Sequence, residues 1–296
     1  FGVPDWVASF QNTDWPGHFA EYCAAFVARY PWIKYYTPVN EILVCSRFSG
    51  ELGGWNEQER SDRALVTAHA NQCRAMLLGI GEILKVRSDA CFIQSEVAEA
   101  FVQLSPAVRS EADFKNQFRF ITFDHLYGVS PHGDVQDYLL AHGLTGEDLK
   151  WFIEHGRSAA SHCVMGMDYY GANEKVIKAD GSEESQGQML GWHAIARDYF
   201  ERYHRPLMLT ETNADDRGNG ESAHWLKQTW SQAHHLRRQG VPVIGYTWFS
   251  LTDQIDWDIQ LVKIRGKVSP NGLCTLDRKL RAVGETIKAI AQPTKQ

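Results

Sequence analysis

Apolar positions along this 296-residue chain fall into two alternating rhythms. Phe19, Tyr22, Cys23, Phe26 and Tyr30 recur at helical spacing. Ahead of them, Thr13-Asp14-Trp15-Pro16 reads as a cap with proline in the first turn, and Pro31 stops the run. Residues 62–86 predict a long helix with Leu65, Ala68, His69, Cys73, Met76, Leu77 and Ile80 on one face. Further helices are predicted at about 111–127, 145–155, 188–204, 221–239 and 279–291. Between the helices lie apolar runs too short to be helical, at residues 35–39, 91–95, 164–170, 206–210 and 241–246. Short strands apolar on both faces, alternating with helices, imply a parallel sheet covered by helices. No fixed-period repeat, low-complexity tract or linker interrupts the pattern, so residues 1–296 read as one α/β domain, a size a single barrel can reach.

Composition narrows the function classes. Hydrophobic residues make up 44% and charged residues 22%, the balance of a soluble globular protein. The net charge of −6 comes from interspersed signs with no basic stripe, so no nucleic-acid partner is expected. No apolar stretch is long enough for a bilayer, and no membrane partner is expected either. The six cysteines are widely spaced without a C-x-x-C pair, which suits reduced thiols in a cytoplasmic protein. Phe1-Gly2-Val3-Pro4 shows neither a basic nor an apolar leader region. H-E-x-x-H and G-x-S-x-G are absent and His234-His235 lacks ligand spacing, so no metal centre and no serine nucleophile are expected.

Functional residues of a parallel α/β sheet gather at the C-terminal ends of strands. Glu41, Glu96, Tyr170, Glu211 and Trp248 stand at such ends. Cleaving a glycosidic bond needs two carboxyl groups, one to protonate the leaving oxygen and one to attack the anomeric carbon or activate water. Glu41 and Glu211, each just behind an apolar run, are the candidates; the alternative is that both are capping or rim carboxylates.

Five segments in order resemble glycoside hydrolase family 1, the β-glucosidases and β-galactosidases. YPWIKYYTPVNE, ending at Glu41, is similar to the family's T-x-N-E at the end of the fourth barrel strand. DYYG, from Asp168, resembles N-Y-Y on strand six. PLMLTETN, with Glu211, resembles the T-E-N of strand seven. GYTWFSLTDQIDW, ending at Trp257, and GLCTLDRKLRAVG resemble strand eight and its tail.

The resemblance implies a (β/α) TIM-type barrel and a retaining exo-β-glycosidase acting on small β-glucosides, and also β-galactosides or β-fucosides, without a cofactor. Glu41 would be the acid/base, protonated at rest, and Glu211 the nucleophile, with the carboxyl groups about 5–5.5 Å apart. Asn40 would bind the sugar 2-hydroxyl, Tyr170 would hold Glu211, and Trp248, Asp256 and Trp257 would line the sugar pocket. The chain departs from the family at Asp168, where asparagine is usual, at Asp256, where glutamate is usual, and at Phe249, which takes the platform tryptophan's place with Trp248 one position early.

Pro4-Asp5-Trp6 already matches the loop after the third strand, so the barrel is expected to be incomplete, with strands four to eight only. Two apolar edges then lie open, implying a homodimer in which the partner, or the segment between Glu96 and His162, covers the gap. The other readings are a non-catalytic, sugar-binding remnant of a glycosidase barrel, and an inverting or endo-acting barrel of another family.

Overall fold

The computed structural model describes residues 3–216 and 220–292. Phe1 and Gly2, part of the reading of the chain start, lie outside the described residues. Five strands, β1 (Tyr35–Tyr36), β2 (Cys91–Val97), β3 (Cys163–Asp168), β4 (Leu207–Glu211) and β5 (Val243–Tyr246), form one parallel sheet in the order β1-β2-β3-β4-β5. Spatial order equals chain order, as successive βα crossovers dictate. Tyr35 pairs with Cys91, and Leu207 with Val243. Among the described residues β1 and β5 each have one neighbour only, so the sheet is an incomplete barrel wall.

The chain divides into two compact units, Phe1–Gly166 with Val176–Glu184, and Met167–Lys175 with Ser185–Gln296. In the first, α1 (Trp15–Arg29) packs on α3 (Asp62–Val86), and α2 (Ile42–Ser46) lies between them in sequence. The predicted helix over 62–86 is present with those bounds. Its start is fixed by the Ser61 hydroxyl, which accepts the Ala64 N–H at 3.1 Å. Asp62 in the first turn and Lys85 in the last complement the helix dipole. Its apolar face is buried at Leu65, Ala68, Cys73, Met76 and Ile80.

The region read as one or two helices, around 111–127 and 145–155, holds four: α4 (Arg109–Phe118), α5 (Ile121–Tyr127), α6 (Gly133–Ala141) and α7 (Gly146–Ala159). The first run breaks at Arg119, whose guanidinium is drawn inward to the Glu99 and Asn116 carbonyls. α7 opens with a Thr145/Asp148 capping box. This segment packs on α3 through α5 and α7. The groove beside β1, about 350 Å³, is lined instead by α1, residues 33–38 and Ile83.

In the second unit α8 (Trp192–Tyr203) packs on α9 (Glu221–Arg238), and α9 on α10 (Ala282–Ala291). Two small sheets were not expected from the sequence: Ala100–Gln103 with Glu174–Ile177 and Glu183–Ser185, and Gln254–Ile255 with Val268–Ser269. No helix among the described residues is long and apolar enough to cross a membrane. All six cysteines are free.

Candidate active site

Asn40 and Glu41 lie in the first unit, where β1 hands over to α2. Glu41 is the N-cap residue, with φ 44° and ψ 59° in the left-handed region that side chains rarely adopt. Hydrogen bonds fix the turn: the Glu41 N–H donates to the Ser95 carbonyl at 3.0 Å, and its own carbonyl accepts the Cys45 N–H at 2.9 Å. Two residues on, the Leu43 N–H donates to Glu96 Oε2 at 3.0 Å, while Glu96 Oε1 accepts the Val97 N–H. The end of β2 therefore grips both sides of Glu41, and the Glu96 carboxyl serves one N–H in the first turn of a short helix.

Burial pushes the Glu96 carboxyl up to about 7, against the opposing pull of these hydrogen bonds and of Arg47. Arg47 is itself paired with Glu99 at 2.5 Å. Asn40 is exposed, and its carbonyl accepts from the Cys45 thiol at 3.8 Å. That thiol is pushed up to about 12 by burial and stays protonated.

The second unit carries Asp168, Tyr170 and Glu211. Glu211 ends β4 and is half-buried. The Tyr170 hydroxyl donates to Glu211 Oε2 at 2.7 Å, and the Tyr169 N–H donates to the Glu211 carbonyl at 2.9 Å. Asp168, buried at the end of β3, accepts from the Thr210 hydroxyl at 2.6 Å, so the departure from asparagine finds a donor partner. Next to Glu211, buried Thr212 accepts the Trp225 indole N–H at 2.8 Å, and Trp225 stacks on Tyr169 at 5.6 Å. The Phe249 N–H donates to the Thr212 carbonyl, and the Asn213 amide to the Phe249 carbonyl. Glu211 thus sits on a strand end whose neighbours are all tied down.

Two expectations need correction. Trp248 does not present a face for a sugar: it is 5% exposed, packs with Leu226 and Val283, and donates its indole N–H to the Asn271 carbonyl at 3.0 Å. It stands one position before the family's platform residue, where it points into the core. Asp256 does not hold its carboxylate out for sugar hydroxyls. It is buried with φ 58°, and its oxygens accept the N–H groups of Arg265, Gly266 and Lys267 at 2.7–2.8 Å. Three of roughly four acceptor positions are spent on a loop, and these bonds, Arg265's first, hold the carboxyl below its ordinary value. Trp257 is half-buried at the head of a short 3₁₀ turn.

One residue escaped the sequence reading altogether. Glu174 is fully buried and accepts from the Tyr169 hydroxyl and from the N–H groups of Met189, Leu190 and Gly191 at 2.5–2.9 Å. It joins the chain behind β3 to the start of α8, through partners 15 to 17 residues away that no local motif announces.

No family model matches the chain, and no curated protein matches it by sequence. Solved structures do match. A β-glucosidase from Thermotoga maritima in complex with azafagomine superposes with a TM-score of 0.78 at 19% identity, over 95% of this chain and 68% of that one. A family 1 β-glucosidase from the same organism with isofagomine lactam, and the enzyme with glucoimidazole, each give 0.79 at 19%, over 95% and 69%. The chain has the fold of a family 1 β-glucosidase. About a third of the β-glucosidase has no counterpart in it, which fits a wall that begins at the fourth strand of the barrel.

Proposed function

We propose that the chain is a retaining β-glycosidase acting on small β-glucosides, with Glu41 as acid/base and Glu211 as nucleophile. The observation that carries this reading is the short bond from the Tyr170 hydroxyl to Glu211 at a strand end, in a fold shared with β-glucosidases solved in complex with glucoimidazole and deoxynojirimycin. A phenol donating to one carboxylate oxygen fixes the orientation in which the group would meet an anomeric carbon.

In the first step Glu211 attacks that carbon while Glu41 gives its proton to the departing oxygen. In the second, Glu41 takes a proton from water, and the water oxygen displaces Glu211. No electrons change hands, and no cofactor is called on. Asn40, Tyr170 and Trp257 are the proposed sugar contacts, while Asp256 and Trp248 support the loops around them. The two open strand edges lead us to assign a homodimer.

The second reading, a sugar-binding protein without turnover, is favoured by one observation: both Trp248 and Asp256 are committed to packing and loop bonds. Hydrolysis of an aryl-β-glucoside separates the two. Release of the aglycone well above a Glu211→Gln control supports the enzyme. Saturable binding of glucose-like inhibitors with no release above that control supports the binding protein.

A further inference from the structure

Three side chains in the core of the first unit take no part in the proposed chemistry. His69 and Cys73 stand one turn apart on α3 and so share a face, and His125 comes from α5. All three are buried, and their donor atoms lie within 4.8 Å of one another. Cys73 Sγ is 3.9 Å from His69 Nδ1 and 3.7 Å from Nε2. His69 Nε2 is 3.0 Å from the Thr122 hydroxyl, which is in turn hydrogen-bonded to the Glu96 carboxyl.

His125 is the telling member. Its ring stacks on Phe152 at 4.1 Å and 5°, yet neither ring nitrogen has a hydrogen-bond partner among the described residues. A neutral imidazole carries one donor and one acceptor. Burying both without partners forfeits their hydration, which native cores avoid.

We propose that His69 Nδ1, Cys73 Sγ and a ring nitrogen of His125 ligate a zinc ion. Two imidazoles and a thiolate are a donor set that zinc takes, and donors around a tetrahedral zinc stand about 3.3–3.6 Å apart. The Cys73–His69 separation is close to that already. His125 closes the rest by a small ring movement that breaks no hydrogen bond. With Nδ1 on the metal, the His69 Nε2–H donates to Thr122, the outer partner that orients a ligating histidine and fixes its tautomer. The thiol gives its proton to solvent on binding, and the thiolate with the nearby Glu96 carboxyl offsets the cation's charge in the core. A water molecule takes the fourth position.

The test uses the full chain, dialysed against EDTA and reloaded with zinc chloride. The expected result is one zinc retained per chain after gel filtration, with a Tm above that of the stripped protein. Cobalt(II) in its place should give a thiolate-to-metal charge-transfer band in the near ultraviolet. Cys73→Ala should lose that band. His125→Leu should reduce retained zinc to background while keeping the wild-type circular dichroism. Thr122→Val should weaken zinc about 10–100-fold, the effect of losing an outer partner. If Cys73→Ala does not fold, His125→Leu decides alone. A wild type that retains no zinc and whose Tm zinc does not move, or a His125→Leu variant that retains a full equivalent, overturns the proposal and leaves His125 as a core imidazole.

Discussion

The Asp256 carboxylate, holding the N–H groups of residues 265–267, makes its role separable by pH. Its folded value is lowered from the ordinary carboxylate range. The stability it contributes is therefore fully present above the unfolded value of about 3.9, and is lost as pH falls through the lower folded value. Asp256→Asn should lower Tm at pH 7, because the amide keeps one accepting oxygen and turns its NH₂ group toward at least one of the three N–H donors. The gap to wild type should narrow below about pH 4. A constant gap across that range would mean that charge is not what holds the loop.

Glu211 is tested differently, because a small hole can be refilled by a small nucleophile. Glu211→Ala should reduce turnover of an aryl-β-glucoside by at least about 10⁴-fold. Added azide should then restore product formation, with the azide of opposite anomeric configuration. Absence of any rescue, in a variant that folds, would remove Glu211 from the nucleophile's role.

At the scale of elements, legibility tracks how local the cause is. The bounds of α3 follow from a serine cap and an unbroken apolar stripe, both present within its own residues. The five main strands are visible as apolar runs between helices, and their order follows from the crossovers. The split between α4 and α5 is set by Arg119 reaching a carbonyl 20 residues back, and the small sheets pair strands of two to four residues. Neither leaves a periodic trace. The same holds in the candidate site. Glu41 and Glu211 stand out as charges closing apolar runs, whereas the core position of Trp248 depends on Leu226 and Val283, distant in sequence. His69 and Cys73 are four apart and could have been paired from the sequence, but His125 is brought to them by tertiary packing.

Packing between α5 and α7 makes its own demand. A Cβ on Gly156 would overlap the Gly128 N and the His125 carbonyl, and Gly128 itself has φ 66°. Alanine in a helix interior ordinarily stabilises by up to about 1 kcal/mol over glycine. Here backbone stands in the way, and overpacking of this kind costs about 1–3 kcal/mol. Gly156→Ala should therefore be net destabilising, by about 1–2 kcal/mol in denaturant unfolding. Gly133→Ala, a helical position with open space around it, should show no such loss. Equal effects at both positions would mean that the helices can part without cost.

At the scale of the whole molecule, each unit carries a strand with one partner among the described residues. Beside β1, Tyr22 and Tyr35 are 62% and 64% exposed around the apolar groove, and on β5 Ile244 is 57% exposed next to a second hollow lined by Trp230 and Tyr246. Unpaired N–H and C=O groups flanked by aromatic and aliphatic side chains are the features of an edge that recruits another strand. A second copy is the simplest partner, since a two-fold axis lets one surface meet itself. Sedimentation velocity at micromolar concentration should show a dimer. Tyr35→Lys places a charge on the β1 edge, away from Glu41, and should move the population to monomer without lowering Tm by more than a few degrees. Wild type sedimenting as a single monomeric species would remove the dimer from the functional reading and leave these edges open to solvent.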